Sequence, residues 1–186
     1  MKKFILLIIL IATISKAICQ HESIDNNPPV HEAPFHKLSL VMANSLINNT
    51  VGDNSNTILI VPTFGFNYDY YFHNKWALGL HNDLLLQQYK VERHHDNEEL
   101  VRENPVAICG IISFKFHPRW ALMSGYGVEL EKHENISLFR IGLEYGIALR
   151  NNWELGFGIE YDYKIKAYSS MMIGAVFSKL LFKKHD

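Results

Sequence analysis

The stretch WELGFGIEYDYK, Trp153 to Lys164, separates residue by residue into two sets. Trp153, Leu155, Phe157, Ile159, Tyr161 and Tyr163 are apolar or aromatic, while Glu154, Gly156, Gly158, Glu160, Asp162 and Lys164 are charged or glycine. Successive side chains of an extended chain point to opposite faces, so this alternation describes a strand with one apolar and one charged face. A helix would scatter both sets around its circumference.

The same count in twos recurs on both sides of this stretch. Phe139, Ile141, Leu143, Tyr145 and Ile147 oppose Arg140, Gly142, Glu144 and Gly146; Trp120, Leu122, Tyr126, Val128 and Leu130 oppose Gly125, Gly127, Glu129 and Glu131. Ile108, Ile112, Phe114 and Phe116 oppose Ser113 and Lys115. Leu78, Leu80, Leu84 and Leu86 oppose Gly79, His81, Asp83 and Gln87; Phe64, Phe66, Tyr68, Tyr70 and Phe72 oppose Thr63, Gly65, Asn67, Asp69 and Tyr71. A first strand near 37–47 and a last near 169–182 bring the expected number to eight, although MMIGAVFSKLLF chooses no face cleanly. NNTVGDNSN (48–56) and VERHHDNEELVREN (91–104) read as long polar loops. FHNKW (72–76), FHPRW (116–120) and LRNNW (149–153) read as short turns, each delivering a tryptophan, and form an internal hairpin repeat. An even strand count with all Trp-bearing turns on one side predicts an all-β fold, an eight-stranded antiparallel up-and-down barrel.

Glycine decides which face is inside. Eight of the 11 glycines share the charged face, where a water-exposed strand would favour Thr, Lys or Glu. A narrow lumen instead needs residues without bulk between large charged ones. Strands of roughly 12–16 residues exceed the roughly 9–11 that cross a bilayer, and Trp76, Trp120 and Trp153 at equivalent strand starts predict an aromatic belt at one membrane interface. The charged face is therefore read as lumen and the apolar face as lipid-facing, the inverse of a soluble lipocalin-like carrier.

The chain begins Met1-Lys2-Lys3 and continues with an apolar run from Phe4 to Ile14, the layout of a secretory signal peptide and too short to span a membrane as a helix. Ala17 and Cys19 suit cleavage before Gln20; lipidation at Cys19 is the rival, disfavoured by the bulk of Ile18. Removing Lys2, Lys3 and Lys16 from 18 basic residues leaves 15 against 19 acidic, a formal −4, with Cys109 as the single remaining cysteine and no intrachain disulfide. The expected organisation is a signal peptide at 1–19, a polar leader at 20–35, the barrel at 36–182 and a tail at 183–186. A 48% hydrophobic, 20% charged composition excludes disorder, and the lack of basic excess gives nucleic acid no purchase.

The signal sequence, the eight alternating strands and the Trp-containing turns resemble the small outer-membrane barrels of Gram-negative bacteria, of the OmpA membrane-domain and OmpX type. WALGLHNDLLLQQYKVE, FRIGLEYG and WELGFGIEYDYK are similar to segments of a group of such barrels in Bacteroidetes. The resemblance implies an outer-membrane location, membrane lipid as the surrounding partner, a monomer, and exposed loops able to meet an extracellular partner. One departure is that Phe182, the aromatic residue on which such proteins usually finish, is followed by Lys-Lys-His-Asp.

An inward charged face collects Asp69, His81, Asp83, Lys115, Glu129, Arg140, Glu144, Glu160, Asp162 and Lys164 into a lumen network, with Glu131 and Glu154 beside them. Buried charges must pair, so Lys115, Arg140 and Lys164 are expected to form ion-pair ladders through a filled interior. The surplus of carboxylates near His81 leaves a narrow channel or a cation-binding barrel as the alternative. No nucleophile sits near His81–Asp83 or Glu160–Asp162, whose spacing any strand face produces, so no enzyme is expected and no catalytic residue, metal or cofactor is assigned. His94-His95-Asp96, and His21, His31 and His36, read as solvated histidines rather than ligands.

Overall fold

A computed structural model describes residues 33–49, 57–93 and 98–182. The expected signal peptide, most of the leader and the 183–186 tail lie outside these residues, as do His21, His31 and the His94-His95-Asp96 triplet.

Among the described residues ten strands form: β1 Phe35–Asn49, β2 Thr57–His73, β3 Trp76–Leu85, β4 Gln88–Glu92, β5 Glu99–Glu103, β6 Val106–His117, β7 Trp120–Leu130, β8 Ile136–Ala148, β9 Trp153–Lys164 and β10 Ser169–Phe182. Eight of them close in the order β1-β10-β9-β8-β7-β6-β3-β2, every neighbour antiparallel. The first and last barrel strands seal the sheet along Phe35–Ile47 and Ser170–Phe182, so no barrel edge stays open. β10, ambiguous in sequence, takes its faces from this pairing. Ser170, Met172, Val176, Ser178 and Leu180 are buried inside, and Met171, Ile173, Phe177 and Leu181 face out.

One expectation is corrected. The segment 91–104 is not a plain loop: β4 and β5 pair from Gln88↔Glu103 to Glu92↔Glu99 as a two-stranded ribbon continuing the β3–β6 hairpin. Its period two is only five residues long per strand and hides among polar side chains. Tyr89, Val91, Leu100 and Arg102 make its buried face.

The barrel is inverted relative to a soluble globule. Among the described residues 34 large hydrophobic side chains are exposed, Met42 at 63% and Phe66 at 50% among them, while 17 polar or charged residues are buried. Water would penalise so continuous an apolar surface, whereas hydrocarbon accepts it. A lipocalin-like arrangement would have turned these same residues inward.

The three short turns share one end. In FHNKW the Lys75 amide donates to His73 Nδ1 at 3.2 Å, and in FHPRW the Arg119 amide donates to His117 Nδ1 at 3.3 Å. Both turns carry the same register shift, ending on His73↔Trp76 and His117↔Trp120, so the sequence repeat is also a repeat of hydrogen bonding. The third turn uses Asn151 and Asn152 at φ 58° and 60°, a left-handed conformation that asparagine tolerates better than most residues.

Candidate functional site

The interior is built in three layers along the barrel axis, with an apolar plug at each end. At the short-turn end Phe35 stacks on Tyr71 at 4.4 Å, with Phe182 at 5.4 Å from Phe35; Ala77 and Leu180 complete the floor. Lys115 lies just above, its Nζ 4.7 Å from the Tyr71 ring centroid. The first charged layer sits over this floor. Lys37 Nζ pairs with Glu144 at 2.5 Å and Glu154 at 2.7 Å, joining β1 to β8 and β9.

The central layer turns on Arg140. Its Nε and Nη2 donate to the two Asp162 oxygens at 2.7 and 2.8 Å, a bidentate fork, while Nη1 donates to Asp83 Oδ2 at 2.5 Å and lies 3.0 Å from Glu160 Oε2. One planar guanidinium thus ties β8, β9 and β3 together through the lumen, which a lysine point charge would not do. His81 Nε2 meets Asp69 Oδ1 at 3.1 Å beside this cluster, and both are buried. His81 Nδ1, Asn67 Oδ1 and Asp83 Oδ1 are buried without hydrogen-bond partners.

The upper layer is where the ribbon enters. Arg102 on β5 is completely buried, with Nη2 2.7 Å from Glu129 Oε1, Nη1 donating to the Glu134 carbonyl at 2.7 Å and lying 3.6 Å from Glu131 Oε2. Tyr168 Oη donates to Glu129, and with its proton so committed it accepts from Tyr89 Oη at 2.6 Å. Burial, reinforced by the Glu129 carboxylate, pushes both phenols well above the usual tyrosine value, so both remain donors. Lys164 Nζ donates to Ser170 Oγ at 2.6 Å, lies 3.4 Å from Glu129 Oε2 and packs over the Tyr168 ring at 4.4 Å. Around these polar groups Ile47, Val61, Leu85, Val91, Leu100 and Ile136 form an apolar cluster, so the ribbon folds over the mouth as a lid.

Every residue named for the lumen network points into the barrel, but the roles differ from the expected ladders. Arg140 and Lys164 sit among carboxylates, whereas Lys115 is set over the aromatic floor and Lys37 takes the pairs with Glu144 and Glu154. Lys37 and Arg102 were missed. Lys37 shares its face with Ser39, Val41 and Ala43, a face too mild to read as lumen, and Arg102 stood inside the supposed loop.

Trp76, Trp120 and Trp153 are 39%, 37% and 36% exposed on the outer wall at the short-turn end, packed 4.5 Å from Phe114, 4.9 Å from Tyr145 and 4.7 Å from Phe177. His36 is also outside, its Nδ1 2.8 Å from the Tyr68 hydroxyl. Among the described residues no group of three or more His, Cys, Asp or Glu is arranged to hold a metal ion.

No protein-family model matches the chain, and no curated protein matches it in sequence. Similarity lies in solved structures. Ail, the attachment invasion locus protein of Yersinia pestis, crystallised with the heparin analogue sucrose octasulfate, superposes with a TM-score of 0.50 at 14% identity, covering 78% of this chain and 99% of Ail. AlkL, an outer membrane protein studied in DMPC bilayers, gives 0.49 at 9% identity over 90% of this chain and 99% of AlkL. Neisserial surface protein A gives 0.47 at 12% identity over 77% and 96%. The chain is thus an eight-stranded antiparallel up-and-down barrel with the fold of the small outer-membrane proteins.

Proposed function

We propose that this protein is a non-enzymatic outer-membrane barrel whose charge-filled lumen serves as a rigid core, supporting the envelope or presenting its long-connection end to an extracellular partner. The observation that carries this reading is the filling of the lumen at every level: an aromatic floor, the Lys37 and Arg140 clusters, and the ribbon lid anchored by Arg102. An eight-stranded barrel has room for side chains and little else. Lys37, Arg102, Arg140 and Lys164 each meet a carboxylate of another strand across the lumen, which makes the interior a structural element rather than a path. Function then falls to the surface outside the lipid. The ribbon extends that surface, and its outward residues Lys90, Glu92, Glu99 and Glu103 are exposed or half-buried.

Planar-bilayer recording tests this. The folded protein is expected to give no stable single-channel step, and a reproducible ion-selective conductance would overturn the filled-core reading.

A second reading, a cation- or proton-binding barrel, is favoured by one feature. Asp83, Glu160 and Asp162 surround a single guanidinium, with Asp69 on the adjacent His81 and acceptors of Asn67 and Asp83 left over. Proton uptake by sealed vesicles containing the protein, abolished by Asp83→Asn, would select it.

A further inference from the structure

The outward rim at the short-turn end carries a repeated pairing that the lumen does not explain. Each short turn sets a cation close to its tryptophan: Lys75 before Trp76, Arg119 before Trp120, and Arg150 three residues before Trp153. The turns FHNKW, FHPRW and LRNNW contain no acidic residue, and all three cations are exposed. A fourth cation joins them from β10, since Lys179 Nζ lies 4.8 Å from the Trp153 ring and donates to the Asn151 carbonyl at 2.5 Å. Arg119 Nη1 donates to the hydroxyl of Tyr145, the ring against which Trp120 packs, at 3.3 Å. The opposite end mixes signs: Lys90 pairs with Glu99 at 3.4 Å and Arg93 with Glu134 at 2.6 Å.

Depth identifies the partner. An exposed tryptophan on an apolar wall settles where hydrocarbon meets headgroups. A cation held one turn beyond that ring stands at the level of the phosphates. The histidine ring acceptors of His73 and His117 hold the first two turns in one geometry, so the spacing between cation and tryptophan is repeated rather than incidental.

We propose that this rim is a binding surface for anionic phospholipid headgroups, with Lys75, Arg119 and Arg150 each taking a lipid phosphate in the leaflet at the short-turn end. The proposal rests on the membrane reading given above. A basic residue near an anionic bilayer surface strengthens association about fivefold at low salt, and the effect weakens as salt screens it.

The three tryptophans of the chain all lie on this rim, so their fluorescence reports the lipid beside it. The folded protein is placed in equal mixtures of phosphatidylcholine and phosphatidylglycerol, with only one of the two lipids brominated near the headgroup end of its acyl chains. Brominated phosphatidylglycerol is expected to quench more than brominated phosphatidylcholine, and the preference is expected to vanish in high salt and in the K75Q/R119Q/R150Q variant. The K90Q/K132Q/K166Q variant, altered at the other end, is expected to keep it. Equal quenching of the wild type by both lipids would overturn the headgroup proposal and leave the membrane reading standing. So would equal loss of preference in both variants, which would reduce the effect to net charge. Absence of quenching by either lipid would overturn the membrane reading itself. Heat-modifiable migration of each variant on a gel checks that it has folded.

Discussion

At the scale of single residues, the barrel depends on what stands directly opposite in a narrow space. Gly127 pairs across β6 with Cys109, and a Cβ there would run into the Ile108 carbonyl and stand 2.6 Å from Cys109 Sγ. Its neighbour Val128 points the other way, toward lipid. Gly127→Phe is therefore expected to abolish the folded band on a heat-modifiability gel, while Val128→Phe leaves it intact; equal tolerance at both positions would contradict the assignment of faces. Arg140 poses the complementary problem of charge. Removing its guanidinium strands Asp83, Glu160 and Asp162 together in a buried site, a change worth about 3–5 kcal/mol for a broken buried pair. Urea unfolding of Arg140→Met should show a loss of that order, partly restored by adding Asp83→Asn and Asp162→Asn.

At the scale of elements, the β4–β5 ribbon is held by two unlike forces. Val91 and Leu100 bury apolar surface against Ile47, Val61 and Ile136, while Arg102 gathers the carboxylates of β7 and the turn after it. Glu131 lies just beyond β7, outside the membrane-crossing wall. Burial raises its carboxyl, but the His133 amide donating at 2.9 Å and the Arg102 guanidinium outweigh that and hold it below the usual glutamate value. A depressed folded value means that the stabilisation is complete above the unfolded pKa, about 4.3, and is lost as pH falls through the folded one. Hydrogen-exchange protection of the ribbon amides should accordingly decline below about pH 4 while that of the barrel strands persists. In Glu131→Gln the acid-dependent part of the decline should shrink. The short turns follow a different logic. Two of them are fixed by the local acceptors His73 and His117, while the tryptophan that each of the three delivers made their similarity readable from the sequence.

For the whole molecule, the decisive property is the inversion of faces. A closed sheet satisfies its own backbone, which makes a lipid-facing apolar wall and a polar interior compatible in one short chain. The folded protein should therefore be extracted only by detergent, and should migrate on a gel faster unheated than boiled; a water-soluble monomer with one mobility would refute the membrane assignment. The fold was legible because period two leaves a signature in most barrel strands, strongest in Trp153–Lys164 and lost in β10, and because the glycines mark the crowded side. The lumen was legible as a list of inward residues but not as a set of bonds. The partners of Arg140 come from β3 and β9, and those of Lys37 from β8 and β9, strands far apart in sequence. Which inward residue meets which across the lumen depends on strand tilt and register.

Alternation along the chain determined the strand type, because an extended backbone turns each side chain to a face irrespective of what surrounds it, and the glycines on the charged face determined the sense of the wall. Only the tertiary structure decided that Arg102 belongs to the core, that the supposed loop is a lid, and that Lys37 rather than Lys115 pairs with Glu144 and Glu154. Those outcomes depend on closure: a charge pairs with whatever the closed sheet carries across the lumen within a few ångströms, and local sequence does not contain that distance.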